Sequence, residues 1–214
     1  MSSKIAEIRE EYLKNILSKS STSTDPFDQF KIWFDEALKA EVPEVNAMML
    51  STVTSENRPT ARVVLLKGLE NGKFIFYTNY QSDKGQQIEK NPNVALTFFW
   101  PALERQVRIE GVARKVSTEI STEYFLSRPR GSQIGAHVSP QSTPVANRTI
   151  LEERALKITK KFEGKAITKP AQWGGYAVDA SLFEFWQGRA NRLHDRIGYS
   201  LNKKNEWDKI RLAP

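Results

Sequence analysis

The chain has 214 residues, no cysteine and a net charge of +7 from 32 basic and 25 acidic residues. Lack of cysteine excludes disulfides, iron–sulfur ligation, thiolate nucleophiles and thiol redox, so a redox function needs an organic cofactor. The length suits one domain with appendages, enough to bury about 70% of its unfolded surface.

The longest apolar run, Val94 to Trp100, is seven residues broken by Thr97. A bilayer span needs roughly 20. The N-terminus, MSSKIAEIREEY, is charged and has no apolar signal core. These features predict a cytoplasmic protein with no membrane association. The charge excess is local: residues 128–170 hold nine Lys/Arg against three Glu, an excess of +6. Such a stretch suits nucleic acid, an anionic membrane or small phosphorylated ligands, and equally a solvated helix face. No nucleic-acid motif accompanies it, so nucleic acid is not the expected partner.

Ile5, Ile8, Tyr12 and Ile16 recur at helical spacing and predict a short amphipathic helix over 5–17. SKSSTST (18–24) reads as a polar linker. Asp25-Pro26 is an N-cap followed by proline at N1, and Phe27, Phe30, Phe34 and Ala37 continue the helix to about Ala40. From Asn46 the period changes to two. Strands are predicted at 47–54, 61–67, 73–78, 94–100 and 106–116, separated by turn signals such as Asn71-Gly72. A short helix capped by Ser82 runs to Asn91, before Pro92. Helices are predicted from Ser117 to Arg128 and from Arg148 to Phe162, with an irregular Gly/Ser/Pro/Gln-rich loop over 129–147 between them. Strands at 174–179, 182–187, 196–201 and 206–212 complete an α+β chain built on an antiparallel sheet or barrel.

Several segments carry residues suited to anions. Ser82 and Lys84 stand at a helix N-terminus, where free N–H groups attract phosphate. The same pattern describes an ordinary capped helix, and Asp83 already satisfies the dipole. Tyr124 and Arg128 share a helix face, with Ser132 just beyond; a guanidinium and two hydroxyls make a phosphate clamp. In RVVLLK, Arg62 and Lys67 are five positions apart, an odd separation. Either they face opposite sides of a strand, or the strand end twists. Gln106 and Arg108 alternate with Val107 and Ile109, as at a barrel mouth or a solvent face. If 192–196 is a strand, Arg192, His194 and Arg196 project to one side, a row with little structural use beside an easily tuned histidine.

Together these segments resemble the pyridoxine (pyridoxamine) 5′-phosphate oxidase family. The match rests on RVVLLK (62–67), FYTN (76–79), SDKGQQIEKNP (82–92), FFW (98–100), ERQVRIEG (104–111), YFLSRPRGSQIGAHVSPQS (124–142), WGG (173–175), FWQGRANRLHDR (185–196) and RLAP (211–214). It spans about 25–214, with an echo in IREEY (8–12). It implies an α+β, mainly β, fold: an FMN-binding split β-barrel with peripheral helices over 25–214, preceded by a flexible segment over 1–24 with a short helix. It also implies a homodimer with FMN at the subunit interface. Family FMN contacts fall on Arg62, Val63, Val64, Leu65, Leu66, Lys67, Tyr77, Thr78, Lys84, Gln106, Gln141, Ser142, Trp186 and Arg196. Substrate contacts fall on Lys67, Tyr124, Arg128, Ser132, Arg192 and His194, with Arg9 and Tyr12 closing over the site. Arg192 and His194 are the implied catalytic pair.

The implied reaction oxidises pyridoxamine 5′-phosphate or pyridoxine 5′-phosphate to pyridoxal 5′-phosphate, with O2 reduced to H2O2 and no metal. Two positions depart from the family pattern. Asp83 stands where a basic residue is usual, which removes one phosphate contact and predicts weaker FMN binding. His137 replaces a tryptophan and is expected at a packing or rim position. The alternative these departures leave is an FMN-binding split-barrel protein with a different or lost activity.

Overall fold

Helix α1 (Pro26–Lys39) begins as its sequence dictates. The Asp25 carboxylate accepts from the backbone N–H groups of Phe27 and Asp28, Pro26 occupies the first turn, and Lys39 lies in the last. Its buried face is Phe30, Trp33 and Ala37. Burial of each large apolar side chain contributes about 1.5–3 kcal/mol, so this stripe fixes the helix on its sheet. The computed structural model describes residues 11–214.

Nine strands follow: β1 (Ala47–Val53), β2 (Pro59–Leu65), β3 (Gly68–Glu70), β4 (Lys73–Asn79), β5 (Asn93–Trp100), β6 (Arg105–Lys115), β7 (Trp173–Gln187), β8 (Asp195–Leu201) and β9 (Trp207–Leu212). Their hydrogen-bonded order is β2-β1-β5-β6-β7-β4-β3, with β8 on β7 and β9 on β8. The remaining helices are α2 (Asp83–Lys90), α3 (Thr118–Ser127), α4 (Arg130–Val138) and α5 (Arg148–Lys161). No helix among the described residues is long and apolar enough to cross a membrane.

The contacts divide into two compact units. One comprises the described part of Met1–Leu50 with Ala95–Gly111 and Ala180–Pro214; the other comprises Ser51–Val94 and Val112–Asp179. In the first unit, Trp33 meets Phe185 edge-on at 5.3 Å and Phe30 meets Phe98 at 5.0 Å. In the second, Phe125, Phe162, Ile167 and Trp173 form a buried cluster against which Tyr77, Tyr124, Ile134 and Ile158 pack.

Three expectations differ from the structure. The helix expected over 5–17 falls partly outside the described residues, and 11–17 is not helical. There the backbone N–H groups of Lys14 and Leu17 donate to the side chains of Glu104 and Asp195, not to carbonyls one turn back. Distant partners override the periodicity. The loop expected over 129–147 contains α4, because Ile134 and Ala136 pack on the Phe125 cluster and Gln133 Nε2 donates to the Leu126 and Arg128 carbonyls that end α3. The strands expected at 174–179 and 182–187 are one strand, β7, which pairs with β4 over 173–179 and with β8 over 182–187.

Gly85, in the first turn of α2, is required by close approach: a Cβ there would lie 2.2 Å from the Tyr80 carbonyl oxygen. Gly85→Ala is therefore expected to destabilise the protein by about 1–3 kcal/mol, the usual range for forced overpacking. A thermal melt should show a loss of several degrees; an unchanged melting temperature would contradict the packing described.

Candidate functional site

A cavity of about 490 Å³ opens in the second unit. Strand β2 supplies Arg62, Val63, Val64 and Leu65, and Lys67 follows; β4 supplies Tyr77 and Thr78; α2 supplies Lys84; Tyr124, Arg128, Gln141 and Trp173 complete the lining. Arg62 and Lys67 thus share one cavity despite their odd separation. The strand ends at Leu65 and the Lys67 N–H donates to the Ile75 carbonyl, so the alternation stops before Lys67. Leu66 is buried and does not line the cavity. Ser132 lies exposed on α4 and is not part of the lining.

The cavity is cationic and partly dry. Burial lowers the pKa of Arg62, Lys84 and Arg128; Lys84 is lowered further by the neighbouring Arg62 charge. Asp83 acts in the opposite sense on Arg62 and Lys84, favouring their charged forms. Arg128 Nη1 is buried and makes no hydrogen bond among the described residues. A buried guanidinium N–H without an acceptor is costly, and an anion removes the cost. The Arg128 guanidinium lies 4.7 Å over the Trp173 ring. Tyr77 stacks on Tyr124 at 3.9 Å and on Trp173 at 5.4 Å. Burial raises the pKa of both phenols, Tyr77 to about 12, so each keeps its donor proton at neutral pH. Gly175, paired with Tyr77 across β7 and β4, leaves room for the ring: a Cβ there would sit 2.8 Å from Tyr77 Cε1.

The segment carrying Gln141 and Ser142 is pinned to this wall. Gln141 Oε1 accepts from Thr78 Oγ1 at 3.3 Å, and Ser142 Oγ accepts from the Asp83 N–H at 3.2 Å. His137 is a packing residue: its ring lies 5.1 Å from that of Phe162, and Nε2 bonds the Thr168 carbonyl at 2.8 Å.

The first unit holds a second group. Trp186, near the end of β7, packs against His194 at 4.7 Å, and Tyr12 packs edge-on against both rings. Arg9 lies outside the described residues. Gln106 lies on β6, whose alternation holds: Val107 and Ile109 are fully buried between half-buried Gln106 and Arg108. The expected strand row of Arg192, His194 and Arg196 is corrected. Residues 188–194 are a loop with a 3₁₀ turn at Ala190–Arg192, and β8 starts only at Asp195. Asn191 and Arg192 both have left-handed backbone angles, φ 55° and 60°, which no strand allows. His194 Nδ1 accepts the Arg189 N–H at 3.1 Å, so the ring proton resides on Nε2.

Two residues of these groups escaped the sequence reading. Trp173 was visible only as part of WGG, with no polar atom to suggest a wall. Glu184 bonds both Arg196 and Arg108; its setting in FEFW resembles any polar position in an alternating strand.

The fold and site together define a mainly β protein with a cationic, aromatic-walled cavity, whose chemistry suits an anionic, planar ligand. Residues 34–162 match the family model described as pyridoxamine 5′-phosphate oxidase, and 173–214 match the pyridoxine 5′-phosphate oxidase C-terminal dimerisation region. The pyridoxine/pyridoxamine 5′-phosphate oxidase of Leptospira interrogans is 53% identical over 214 residues, covering 100% of both chains. That of Bacteroides thetaiotaomicron is 51% identical over 210 residues, 98% of this chain and 99% of the relative. Among solved structures, PhzG from Burkholderia lata in complex with tetrahydrophenazine-1-carboxylic acid superposes with a TM-score of 0.87 at 25% identity, over 94% of this chain and 98% of its own. An FMN binding protein of Nostoc punctiforme related to pyridoxamine 5′-phosphate oxidase shares the fold, with a TM-score of 0.71 at 17% identity over 90% and 100%. The chain belongs to the pyridoxine/pyridoxamine 5′-phosphate oxidase family, with the mainly β split-barrel fold expected from its sequence.

Burial, and secondarily the Arg192 charge, lower the His194 pKa below its usual 6.5. The imidazole is therefore mostly neutral at pH 7 and takes up its proton at a lower pH than an ordinary histidine. The chain has two histidines, so ¹H NMR titration with His137→Gln for assignment resolves both. The His194 midpoint should lie below 6.5 and move upward in Arg192→Gln; a wild-type midpoint at or above 6.5 would contradict the environment described.

Proposed function

We propose that this protein is an FMN-dependent oxidase that converts pyridoxamine 5′-phosphate or pyridoxine 5′-phosphate to pyridoxal 5′-phosphate, with O2 reduced to H2O2. The observation that carries the reading is the cationic cavity, with the buried Nη1 of Arg128 facing no acceptor among the described residues. Both FMN and the substrate bring a phosphate dianion, and the donor set suits two such groups. Arg62 and Lys84, on adjoining elements, would hold the flavin phosphate, with Thr78, Gln141 and Ser142 beside them. Lys67, Tyr124 and Arg128 would hold the substrate phosphate, with Ser132, outside the cavity lining on α4, the fourth donor that the resemblance implies. Bound FMN would supply a two-electron acceptor, which no side chain of this chain can provide.

The remaining work falls to the protein's own groups. Holding the substrate by its phosphate fixes the reacting carbon at a distance from the charge that anchors it. His194 offers an Nε2–H to the substrate ring, and Arg192 a cation. Tyr12 and Trp186, packed on His194, shield that side from water. Exposed Val63 and Leu65 on β2 are apolar surface that suits a second copy; residues 173–214 separately match a dimerisation region. The reading places FMN at that interface, with the Arg192–His194 loop of one protomer serving the cavity of its partner. A cytoplasmic setting suits these phosphorylated substrates.

The test is an aerobic assay of purified protein with both substrates, following aldehyde and peroxide. Arg192→Ala should cripple turnover and leave FMN bound. Lys84→Ala should loosen FMN first, by about tenfold to a hundredfold for the loss of one charged hydrogen bond of about 1.5–3 kcal/mol. Yellow protein that forms neither product would overturn the reaction; colourless protein that binds no FMN would overturn the cofactor.

A further inference from the structure

Glu184 has no part in the roles assigned above. It lies on β7 with its side chain 7% exposed. Arg196 donates to it twice, Nε to Oε1 at 2.9 Å and Nη2 to Oε2 at 3.0 Å, a bidentate fork. Arg108 Nη1 donates to the same Oε2 at 3.0 Å, and its Nη2 to Glu110 at 2.9 Å. Strand register explains the meeting. Glu184 pairs with Gly198 and Trp186 with Arg196, so Glu184, Trp186 and Arg196 share one face of the β7–β8 pair, with Arg196 diagonal to Glu184. The Ala213 carbonyl accepts from Arg196 Nη1 at 2.7 Å. One edge and one corner of the guanidinium are thus tied, while each Nη atom keeps a second N–H for a ligand.

We propose that Glu184 is a positioning residue of the cofactor site: its carboxylate locks the Arg196 guanidinium so that the outer N–H groups face bound FMN. This rests on the reading that Arg196 contacts FMN. An arginine stem is long and freely rotating, so an untied guanidinium would have to be ordered at the moment of binding. The fork completes that ordering beforehand. Glu184 also bridges Arg196 to Arg108, so neither cation faces the other uncompensated.

The test uses full-length protein stripped of flavin and titrated with FMN, read by quenching of flavin fluorescence, with urea melts as a control on folding. Glu184→Gln should weaken FMN binding by about twofold to tenfold, the usual cost of ordering one long side chain at the moment of binding. Arg196→Ala should weaken it by at least as much. The double variant should bind no more weakly than Arg196→Ala alone, because Glu184 acts through Arg196. A general structural role would add the two losses, and additivity would overturn the proposal. Glu184→Asp keeps the charge but shortens the reach; it should also weaken FMN, and wild-type affinity in it would overturn positioning as the cause. It also serves where Glu184→Gln fails to fold. If Arg196→Ala binds FMN as the wild type does, the Arg196 assignment fails and the proposal falls with it. If Arg196→Ala is weakened and Glu184→Gln is not, the proposal alone falls.

Discussion

Three partly buried cations lining one cavity are the main electrostatic constraint on the site. Arg62, Lys84 and Arg128 line one cavity, and burial disfavours the charged form of each. Water screens surface cations well, but a half-buried group keeps much of its repulsion and gives up part of its hydration. That loss of hydration is a cost to the charged form of each group. Asp83 offsets part of it from the first turn of α2, and Trp173 offers its ring face to Arg128.

Strand β7 meets this constraint by spanning both units. Its first half pairs with β4 and sets Trp173 and Gly175 against Tyr77; its second half pairs with β8 and sets Glu184 and Trp186 beside Arg196. A strand that changes partner midway can deliver an aromatic wall at one end and an arginine clamp at the other. The break that Asp179, Ala180 and Ser181 suggest in the sequence marks this exchange of partners, not a turn.

Local rules made most of the elements legible. Asp25-Pro26, Ser82 and Ser117 cap the helices that their positions imply, and alternation located β1, β4, β5 and β6 to within a residue or two. Where the reading failed, partners far along the chain decided. Residues 11–17 give their N–H groups to Glu104 and Asp195, and α4 exists because its apolar side docks on Phe125 and Trp173. In the site, charged and hydroxyl residues announced themselves, whereas Trp173 and Glu184 did not. An indole wall and a carboxylate behind an arginine look, in one sequence, like core and surface. The resemblance to a known family supplied the division of roles; alternation did not, since Arg192 and His194 turned out to lie before the strand.

The loop that carries them shows why. Two successive non-glycine residues in left-handed geometry, Asn191 and Arg192, cost about 1–3 kcal/mol each and persist only where the surroundings enforce them. Here the enforcement is visible. Leu193 N–H donates to the Ala190 carbonyl, Arg189 N–H to His194 Nδ1, and Asp195 receives the Leu17 N–H and ion pairs from Arg189 and Arg211. The strain holds Arg192 exposed while His194 is turned against Trp186. With Nδ1 occupied by a backbone donor and Arg192 opposing a second positive charge, the imidazole is a neutral ring that carries its proton on Nε2. It can take up a further proton only by giving up the bond that holds its own loop in place.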